Sequence, residues 1–267
     1  MSSTYTVHGL ARIFAFMQKL PGINISKADG GSNQMLLRYM AKNYNLLAED
    51  AKHAGNLVAA GFDNSDALNR WLDTPSRDVF KIPANSQEAF LGSVYDFDQK
   101  WKSGLGERDD IKKYVAFGLT GKAYMETGFA ETEDGSTLMF WYPKVKQGYN
   151  LYCEAANKYK DLALYTKESV ELVLPEVNIE SEEGSYGLEG SQLGHWTIEE
   201  STYVNSLTLN RHGAKAKSVV KVNLTKCFRP APKVLVFDKP FAVGIWEKEM
   251  KYPAFVAYCD KGCWKKS

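Results

Sequence analysis

The apolar stretch from Val234 to Tyr258, near the C-terminus, constrains the fold more than any other part of the sequence. It holds three apolar runs, Val234–Phe237, Phe241–Trp246 and Ala254–Tyr258, with a charged tip between the last two. Runs of about four to six β-branched and aromatic residues without polar alternation are typical of strands that are buried on both faces. The charged tip predicts a hairpin loop. We therefore expect the C-terminus to lie in the core and the rest of the chain to fold around it.

Composition limits the classes of protein that the chain can be. Its 267 residues are 44% hydrophobic, which is enough for a sizeable core, and the formal net charge is +1. A charge this close to zero gives no sign of a nucleic-acid partner. No apolar run reaches the ~18 residues of a membrane span, and the N-terminus has no basic region followed by an apolar one. We therefore expect no membrane partner and no secretory signal.

The cysteines and histidines form no recognisable chemical motif. Four cysteines are too few for a disulfide scaffold of this size, and the spacing of Cys259 and Cys263 is not that of a zinc site. The four histidines are scattered, and the sequence contains no H-E-x-x-H, G-x-S-x-G, Walker or G-x-G-x-x-G motif. We therefore expect no metal, no cofactor and no enzymatic activity.

Apolar periodicity predicts helices early in the chain and strands after them. Helices are predicted over Val7–Leu20, Asn33–Lys52 and Asp66–Leu72. Strands are predicted over Ala89–Phe97, within Lys113–Phe129 with breaks at Gly118 and Gly121, over Thr137–Tyr142 and over Val170–Ile179. Helices followed by many strands are typical of an α+β fold.

Several short motifs occur in a particular order along the chain. The C-terminal one is Phe237-Asp238-Lys239-Pro240-Phe241, followed by Tyr252-Pro253-Ala254-Phe255. The upstream ones are Asn69–Thr74, Ser93–Trp101, Leu174–Ser181 and Val220–Asn223. Together and in this order, the motifs resemble those of the serpins, a family of serine protease inhibitors.

The resemblance implies a compact serpin fold, in which a few N-terminal helices pack on a large mixed sheet and a second sheet buries the C-terminal hairpin. It further implies a single domain over residues 1–267, with a reduced helical region at 1–60 and a shortened reactive-loop region at 222–233. Compact serpins without a leader resemble those of poxviruses. The expected protein is thus a viral modulator of host proteases or inflammation in the host-cell cytoplasm, with a secreted form also compatible.

The segment that matches the reactive loop of serpins is short and polar. By resemblance, the hinge corresponds to Val222, Asn223 and Leu224, and the reactive residues correspond to Thr225, Lys226, Cys227, Phe228 and Arg229. An inhibitory serpin inserts this loop into its central sheet after cleavage. Here the hinge lacks a Gly or Ala run, residues 223–229 reach only roughly 20 Å, and Lys226 and Arg229 are costly to bury unpaired. We therefore expect impaired loop insertion.

Two interpretations of this segment stay open. In the first, the protein binds a host serine or cysteine protease, and the cleaved bond is Phe228–Arg229 or Lys226–Cys227, because Pro230 makes Arg229–Pro230 a poor substrate bond. In the second, the segment is a surface connection. The protein is then a non-inhibitory interaction protein that binds a host protein or a polyanion through another surface.

Charge is distributed unevenly around the same region. Residues 168–200 contain nine glutamates and no Lys, Arg or Asp, whereas residues 211–233 contain seven Lys or Arg and no acid. One interpretation is a polyanion site at Arg211, Lys215, Lys217 and Lys221. The interpretation that we favour is that the two segments are neighbours in the fold and neutralise each other.

Overall fold

The structure is a computed structural model that describes residues 2–108, 110–215 and 233–267, apart from the side chains at 105, 181, 182 and 215. Backbone contacts divide the chain into two compact units. Unit one comprises Met1–Tyr5, Phe97–Glu182 and Asn205–Ser267, and unit two comprises Thr6–Asp96 and Glu183–Val204. The single domain over 1–267 stays a prediction.

The described residues combine four α-helices with many short strands. The helices are α1 (His8–Met17), α2 (Gln34–Asp50), α3 (Ser65–Asp73) and α4 (Gly148–Leu162). The strands are β1 (Ser3–Tyr5), β2 (Leu57–Phe62), β3 (Val79–Lys81), β4 (Phe90–Tyr95), β5 (Asp98–Lys100), β6 (Gly104–Glu107), β7 (Ala116–Tyr124), β8 (Thr127–Glu131), β9 (Thr137–Trp141), β10 (Glu168–Pro175), β11 (Val177–Ser185), β12 (Gln192–Leu193), β13 (Trp196–Thr197), β14 (Thr202–Asn210), β15 (Gly213–Lys215), β16 (Lys233–Val236), β17 (Phe241–Trp246) and β18 (Phe255–Cys259). The α+β prediction is confirmed. None of the helices in these ranges has the length and hydrophobicity of a transmembrane segment.

Unit two contains the three helices that the sequence predicts. The predicted apolar face of α2 is buried throughout, at Leu36, Leu37, Met40, Tyr44 and Leu47. Helix α3 begins after Asn64, whose side-chain oxygen accepts a hydrogen bond from the Ala67 N–H at 2.9 Å. Asn64 is therefore the N-cap of α3, because it satisfies a backbone donor that has no partner within the helix. Beside these helices, β2 pairs with β3 and β4 in a three-stranded sheet.

Helices α1 and α2 of unit two are joined by a buried polar pair. The side chains of His8 and Asp50 are 1% and 4% exposed, and His8 Nε2 lies 3.0 Å from Asp50 Oδ2. A buried carboxylate needs such a partner, since an isolated one would lose its hydration without compensation.

Unit one is built on a nine-stranded sheet with the order β1-β18-β17-β9-β8-β7-β10-β16, and β6 pairs with β7 beside this path. Neighbouring strands are antiparallel except β10 and β16, which run parallel. The predicted C-terminal hairpin is β17–β18, and every residue of both strands is buried. The C-terminus therefore lies in the core, as the apolar runs indicate.

Two expectations about strands are wrong. Val234–Phe237 was expected to be buried on both faces, but β16 is the last strand in the sheet order and Val234 is 50% exposed. Gly118 and Gly121 do not break a strand, because β7 runs through both. At Gly121 a Cβ would lie 2.5 Å from Leu172 Cδ1 and 2.6 Å from the Phe129 carbonyl oxygen, so glycine permits a close approach within the sheet.

Helix α4 lies in the part of the chain that was expected to be strand-rich. It buries Tyr149, Leu151, Tyr152, Ala155 and Leu162. Its aromatic and asparagine residues have modest helix propensity. The helical spacing of its apolar residues is therefore hard to recognise in the sequence. Trp141, at the end of β9, donates from Nε1 to Glu154 on this helix at 3.0 Å. Packing against the sheet therefore stabilises a helix that propensity alone does not indicate.

Candidate reactive-loop region

The residues predicted to carry the function lie outside the described ranges. The hinge at Val222, Asn223 and Leu224, the reactive residues Thr225, Lys226, Cys227, Phe228 and Arg229, and the basic residues Lys217 and Lys221 all belong to this group. Their roles stay predictions. The structure does describe the strands at the two ends of this segment, since β15 ends at Lys215 and β16 begins at Lys233.

The strand at the N-terminal end of the segment, β15, is an interior strand of a four-stranded sheet. The sheet has the order β11-β14-β15-β5. On one side, Gly213 and Lys215 of β15 pair antiparallel with Asn210 and Thr208 of β14. On its other side, β15 pairs antiparallel with β5 over its whole length. The chain therefore turns back after β14 and fills the position between β14 and β5 with its own residues.

The turn that places β15 is held by specific contacts. Asn210 Oδ1 accepts a hydrogen bond from the His212 N–H at 2.9 Å, and the Asn210 carbonyl accepts one from Trp101 Nε1 at 2.8 Å. A Cβ on Gly213 would collide with the carbonyl oxygen of Gln99, so only glycine fits at this approach to β5. Trp101 itself is buried and stacks on Phe117, with ring centroids 6.3 Å apart. These contacts fix both the register and the position of β15.

The strand at the C-terminal end of the segment, β16, is an edge strand. It runs parallel to β10, with Lys233 opposite Val170. Lys233 Nζ lies 2.5 Å from Glu168 Oε2, and both side chains are more than half exposed. After β16, the Phe237 N–H donates to the Val173 carbonyl at 2.9 Å. The chain thus passes from an exposed edge into the core within five residues of sequence.

Aromatic rings bury the motif that follows β16. Phe237 and Phe241 are fully buried, their ring centroids are 5.4 Å apart, and Phe140 lies 6.0 Å and 6.3 Å from them. The Tyr142 hydroxyl donates to the Val236 carbonyl at 3.1 Å. Burial, followed by the negative charge of Asp238, raises the pKa of Tyr142 to about 12. The C-terminal motif, residues 237–241, therefore fixes the end of the edge strand β16 in the core.

Arg211 and Lys233, near the two ends of the segment, both form ion pairs. Lys233 pairs with Glu168, as expected if the basic and acidic segments neutralise each other. Arg211 pairs with Glu107, which lies outside the acidic segment. Arg108 bonds to Asp110 and Glu171, and the bond from Arg108 lowers the pKa of the Asp110 carboxyl. Of the basic side chains of 211–233 that the structure describes, Lys233 pairs with the acidic segment and Arg211 pairs outside it.

The C-terminal cysteines are thiols. Burial raises the pKa of the Cys259 thiol well above its ordinary value, which keeps it protonated and unreactive at neutral pH. Within residues 2–108, 110–215 and 233–267, no group of three or more His, Cys, Asp and Glu is arranged to hold a metal ion.

Comparisons with known proteins identify the fold through structure alone. No protein-family model matches the chain, and no curated protein matches it in sequence. Among solved structures, it resembles Tengpin, a thermophilic serpin in its native state, at a TM-score of 0.63 and 13% identity, over 96% of this chain and 88% of the other. It also resembles Serpin48 of the insect Tenebrio molitor, at a TM-score of 0.56 and 12% identity, over 96% and 90%. A third similar structure is thyroxine-binding globulin in complex with thyroxine, at a TM-score of 0.54 and 12% identity, over 96% and 91%. The chain has a serpin-like fold.

Most of the residues that position the start of the segment belong to none of the motifs recognised in the sequence. Gly213, Gln99 and Glu107 received no role, although the Asn210-Arg211-His212-Gly213 sequence has the turn-forming residues of a hairpin. The quoted motif Ser93–Trp101 did contain Trp101, whose indole holds the turn. A hairpin prediction at Asn210–Gly213 would have placed β15 beside β14.

Proposed function

We propose that this chain is a serpin-type protease inhibitor homologue, a viral modulator of host proteases or inflammation that acts in the host-cell cytoplasm without enzymatic chemistry of its own. Its serpin-like fold supports the proposal. So do the strands at the two ends of residues 216–232, since β15 is an interior strand of one sheet and β16 is an edge strand of another. A segment between two such anchors is suited to present a protease-sensitive sequence.

The proposed mechanism, inhibition without full loop insertion, rests on the interior position of β15 in its sheet. By resemblance to the serpins, an inhibitory loop enters the central sheet as a new strand after cleavage. As part of this proposal we take the four-stranded sheet, in which the segment begins at the end of β15, as the sheet that a cleaved loop would enter. There Gly213–Lys215 already lie between Thr208–Asn210 of β14 and Asp98–Lys100 of β5 and pair with both. A second strand at this position would first have to break the hydrogen bonds that β15 makes with its neighbours. We therefore propose that the protein blocks a protease without full loop insertion.

Residues Thr225–Arg229 supply the contacts with the protease in this proposal. The bonds Phe228–Arg229 and Lys226–Cys227 offer an aromatic or a basic residue before the cleaved bond, as chymotrypsin-like and trypsin-like pockets respectively require. Pro230 disfavours cleavage after Arg229, because proline lacks the N–H and fixes φ. Val222, Asn223 and Leu224 act as a hinge that lacks a Gly or Ala run and belongs to a segment too short for deep insertion.

Incubation with serine and cysteine proteases, followed by a denaturing gel and an activity assay, tests the proposal. We expect saturable inhibition and slow cleavage within 225–229, without a covalent complex. Phe228→Ala should weaken inhibition of a chymotrypsin-like protease, and Lys226→Ala should weaken inhibition of a trypsin-like one. Lys27→Ala, on the exposed surface of unit two, is the matched control. A covalent band at the summed mass would contradict impaired insertion, and cleavage without inhibition would contradict the inhibitor function.

The second candidate is a non-inhibitory interaction protein with the same scaffold. Its support is the likeness to a structure of thyroxine-binding globulin in complex with thyroxine, in which the scaffold carries a ligand. A polyanion bound at Arg211, Lys215, Lys217 and Lys221 belongs to this candidate. The pairing of Arg211 with Glu107 weakens it, because the guanidinium is already neutralised. Binding of heparin that is lost in the Lys217→Ala and Lys221→Ala variants, together with no effect on any protease, would favour it.

A further inference from the structure

Two turns of unit one, which the Tyr124–Tyr165 ring stack brings together, expose large apolar side chains. Met125, in the two-residue turn between β7 and β8, is 81% exposed, and Leu164, just after α4, is 86% exposed. Tyr165 is 50% exposed, and its ring stacks on that of Tyr124 with centroids 4.6 Å apart. We call Met125, Leu164 and Tyr165 the apolar tip. Met125 has a φ of 52°, a conformation for which glycine or asparagine is favoured, so the turn itself gives no reason for a methionine.

A basic groove lies next to the apolar tip. Its volume is about 570 Å³, which is within the range of sites for small molecules. It is lined by Lys102, Lys122, Lys167, Glu131, Phe129 and Tyr159. The three lysines and one glutamate leave a net charge of about +2 on these side chains.

The Tyr124–Tyr165 stack and the groove share one face of the sheet. Phe129 of β8 and Ser169 of β10 are both opposite Lys122 of β7, and cross-strand partners point to the same face. Tyr124 lies two residues beyond Lys122 on the same strand, so its side chain points to that face as well. Tyr124 is two strand residues, or ~7 Å, from Lys122. A ligand bound to Lys122 therefore lies close to the Tyr124–Tyr165 stack.

The charges of the groove are incompletely balanced. Glu131 lies 2.8 Å from Lys102 and 3.7 Å from Lys122, so that one carboxylate serves two ammonium groups. The bond from Lys102 lowers the pKa of Glu131, which therefore stays ionised at neutral pH. Lys167 is only partly exposed, and its Nζ lies 4.9 Å from the centroid of Phe129. Among the described residues it has no carboxylate partner, so the groove retains a cation over an aromatic floor.

We propose that this groove binds a monomeric amphipathic anion, with its acidic head on Lys122 and Lys167 and its apolar part against the Tyr124–Tyr165 stack and the apolar tip. The combination of an incompletely neutralised basic groove and exposed apolar side chains beside the Tyr124–Tyr165 stack fits both parts of such a ligand. A membrane surface fits less well. Glu126 is exposed in the same turn as Met125, and an anionic bilayer pressed on the tip would meet its charge.

Calorimetric titration with decyl sulfate, kept below its micelle concentration, tests the proposal. We expect saturable binding of one molecule. Inorganic sulfate, which lacks the apolar chain, and decyl maltoside, which lacks the negative charge, should both bind more weakly. The Lys122→Gln/Lys167→Gln variant should bind about tenfold more weakly or worse. Met125→Ser/Leu164→Ser should also weaken binding. Glu131→Gln should tighten it, because two lysines are released.

Controls separate this result from general detergent binding. Lys27→Gln removes an exposed lysine of unit two and should leave the affinity unchanged. Circular dichroism should show that every variant keeps the wild-type fold. The proposal is overturned if binding is not saturable, if the groove variants bind like the wild type, or if Lys27→Gln weakens binding equally. Association only with phosphatidylserine vesicles, and not with monomeric decyl sulfate, would also overturn it.

Discussion

Two apolar runs that look alike in the sequence have different positions in the fold. Phe241–Trp246 becomes β17, which has β9 on one side and β18 on the other and is buried at every residue. Three residues of the run Val234–Phe237 lie in β16, which pairs only with β10 in the described sheet order and leaves Val234 half exposed. An apolar run therefore predicts a strand, whereas its burial depends on neighbours that come from distant parts of the chain.

The largest difference between the two strands should appear on removal of an aromatic ring. Phe241→Ala should lower the free energy of unfolding by about 3–5 kcal/mol, because Phe241 is fully buried against Phe140 and Phe237. Val234→Ala, on the exposed side of β16, should cost less than about 0.5 kcal/mol. Urea denaturation monitored by tryptophan fluorescence measures both. Equal losses for the two variants would show that β16 is buried to the same extent as β17.

A similar contrast exists between two glycines in strands. Gly213→Ala should lower the free energy of unfolding by about 1–3 kcal/mol, because its Cβ would collide with the carbonyl oxygen of Gln99. Gly104→Ala, in β6, is the matched control, since its Cβ would meet Leu119 at an ordinary 3.7 Å. Thermal unfolding of the two variants measures the difference. If both behave alike, β15 does not lie against β5 as described.

The elements that the sequence predicted are those with local signals. Helix α2 has five apolar residues at helical spacing, α3 has the Asn64 cap, and the β17–β18 hairpin has two apolar runs with a charged tip. In contrast, α4 has modest propensity, and β15 is a three-residue strand that is defined by its pairing with β14 and β5. Pairing between distant strands leaves no periodicity in a short segment. For that reason, the pairing of β15 with β5 could not be predicted, although the turn residues Asn210–Gly213 indicate its pairing with β14.

The hydroxyl of Tyr142 gives the edge strand a pH-dependent contact. Because the folded protein holds its pKa at about 12, above the ordinary value of 10.0, the neutral form is favoured by folding. The resulting stability is fully present below about pH 10 and is lost as the pH rises towards about 12. Tyr142→Phe should abolish the part of the stability loss at high pH that comes from ionisation of this hydroxyl. The test compares the denaturation midpoints of the wild type and the variant between these pH values. The same pH dependence of the midpoint in both proteins would contradict the prediction.

The smallest effects are expected for the ion pairs at the two ends of the undescribed segment. Lys233→Gln breaks the exposed pair with Glu168, and Arg211→Gln breaks the pair with Glu107. Each should lower the free energy of unfolding by at most about 1 kcal/mol, and less in high salt, because water and ions screen exposed charges. Urea denaturation at low and high salt measures this. A much larger loss for either variant would show that the pair is required to position its strand.

The most direct test of impaired insertion is the thermal midpoint before and after proteolytic nicking within residues 225–229. Insertion of a cleaved loop would add a strand with its hydrogen bonds and would raise the midpoint sharply. Because β15 already fills the position between β14 and β5, we predict that nicking leaves the midpoint unchanged or lowers it. A sharp rise would contradict the account and would show that the segment still enters the sheet.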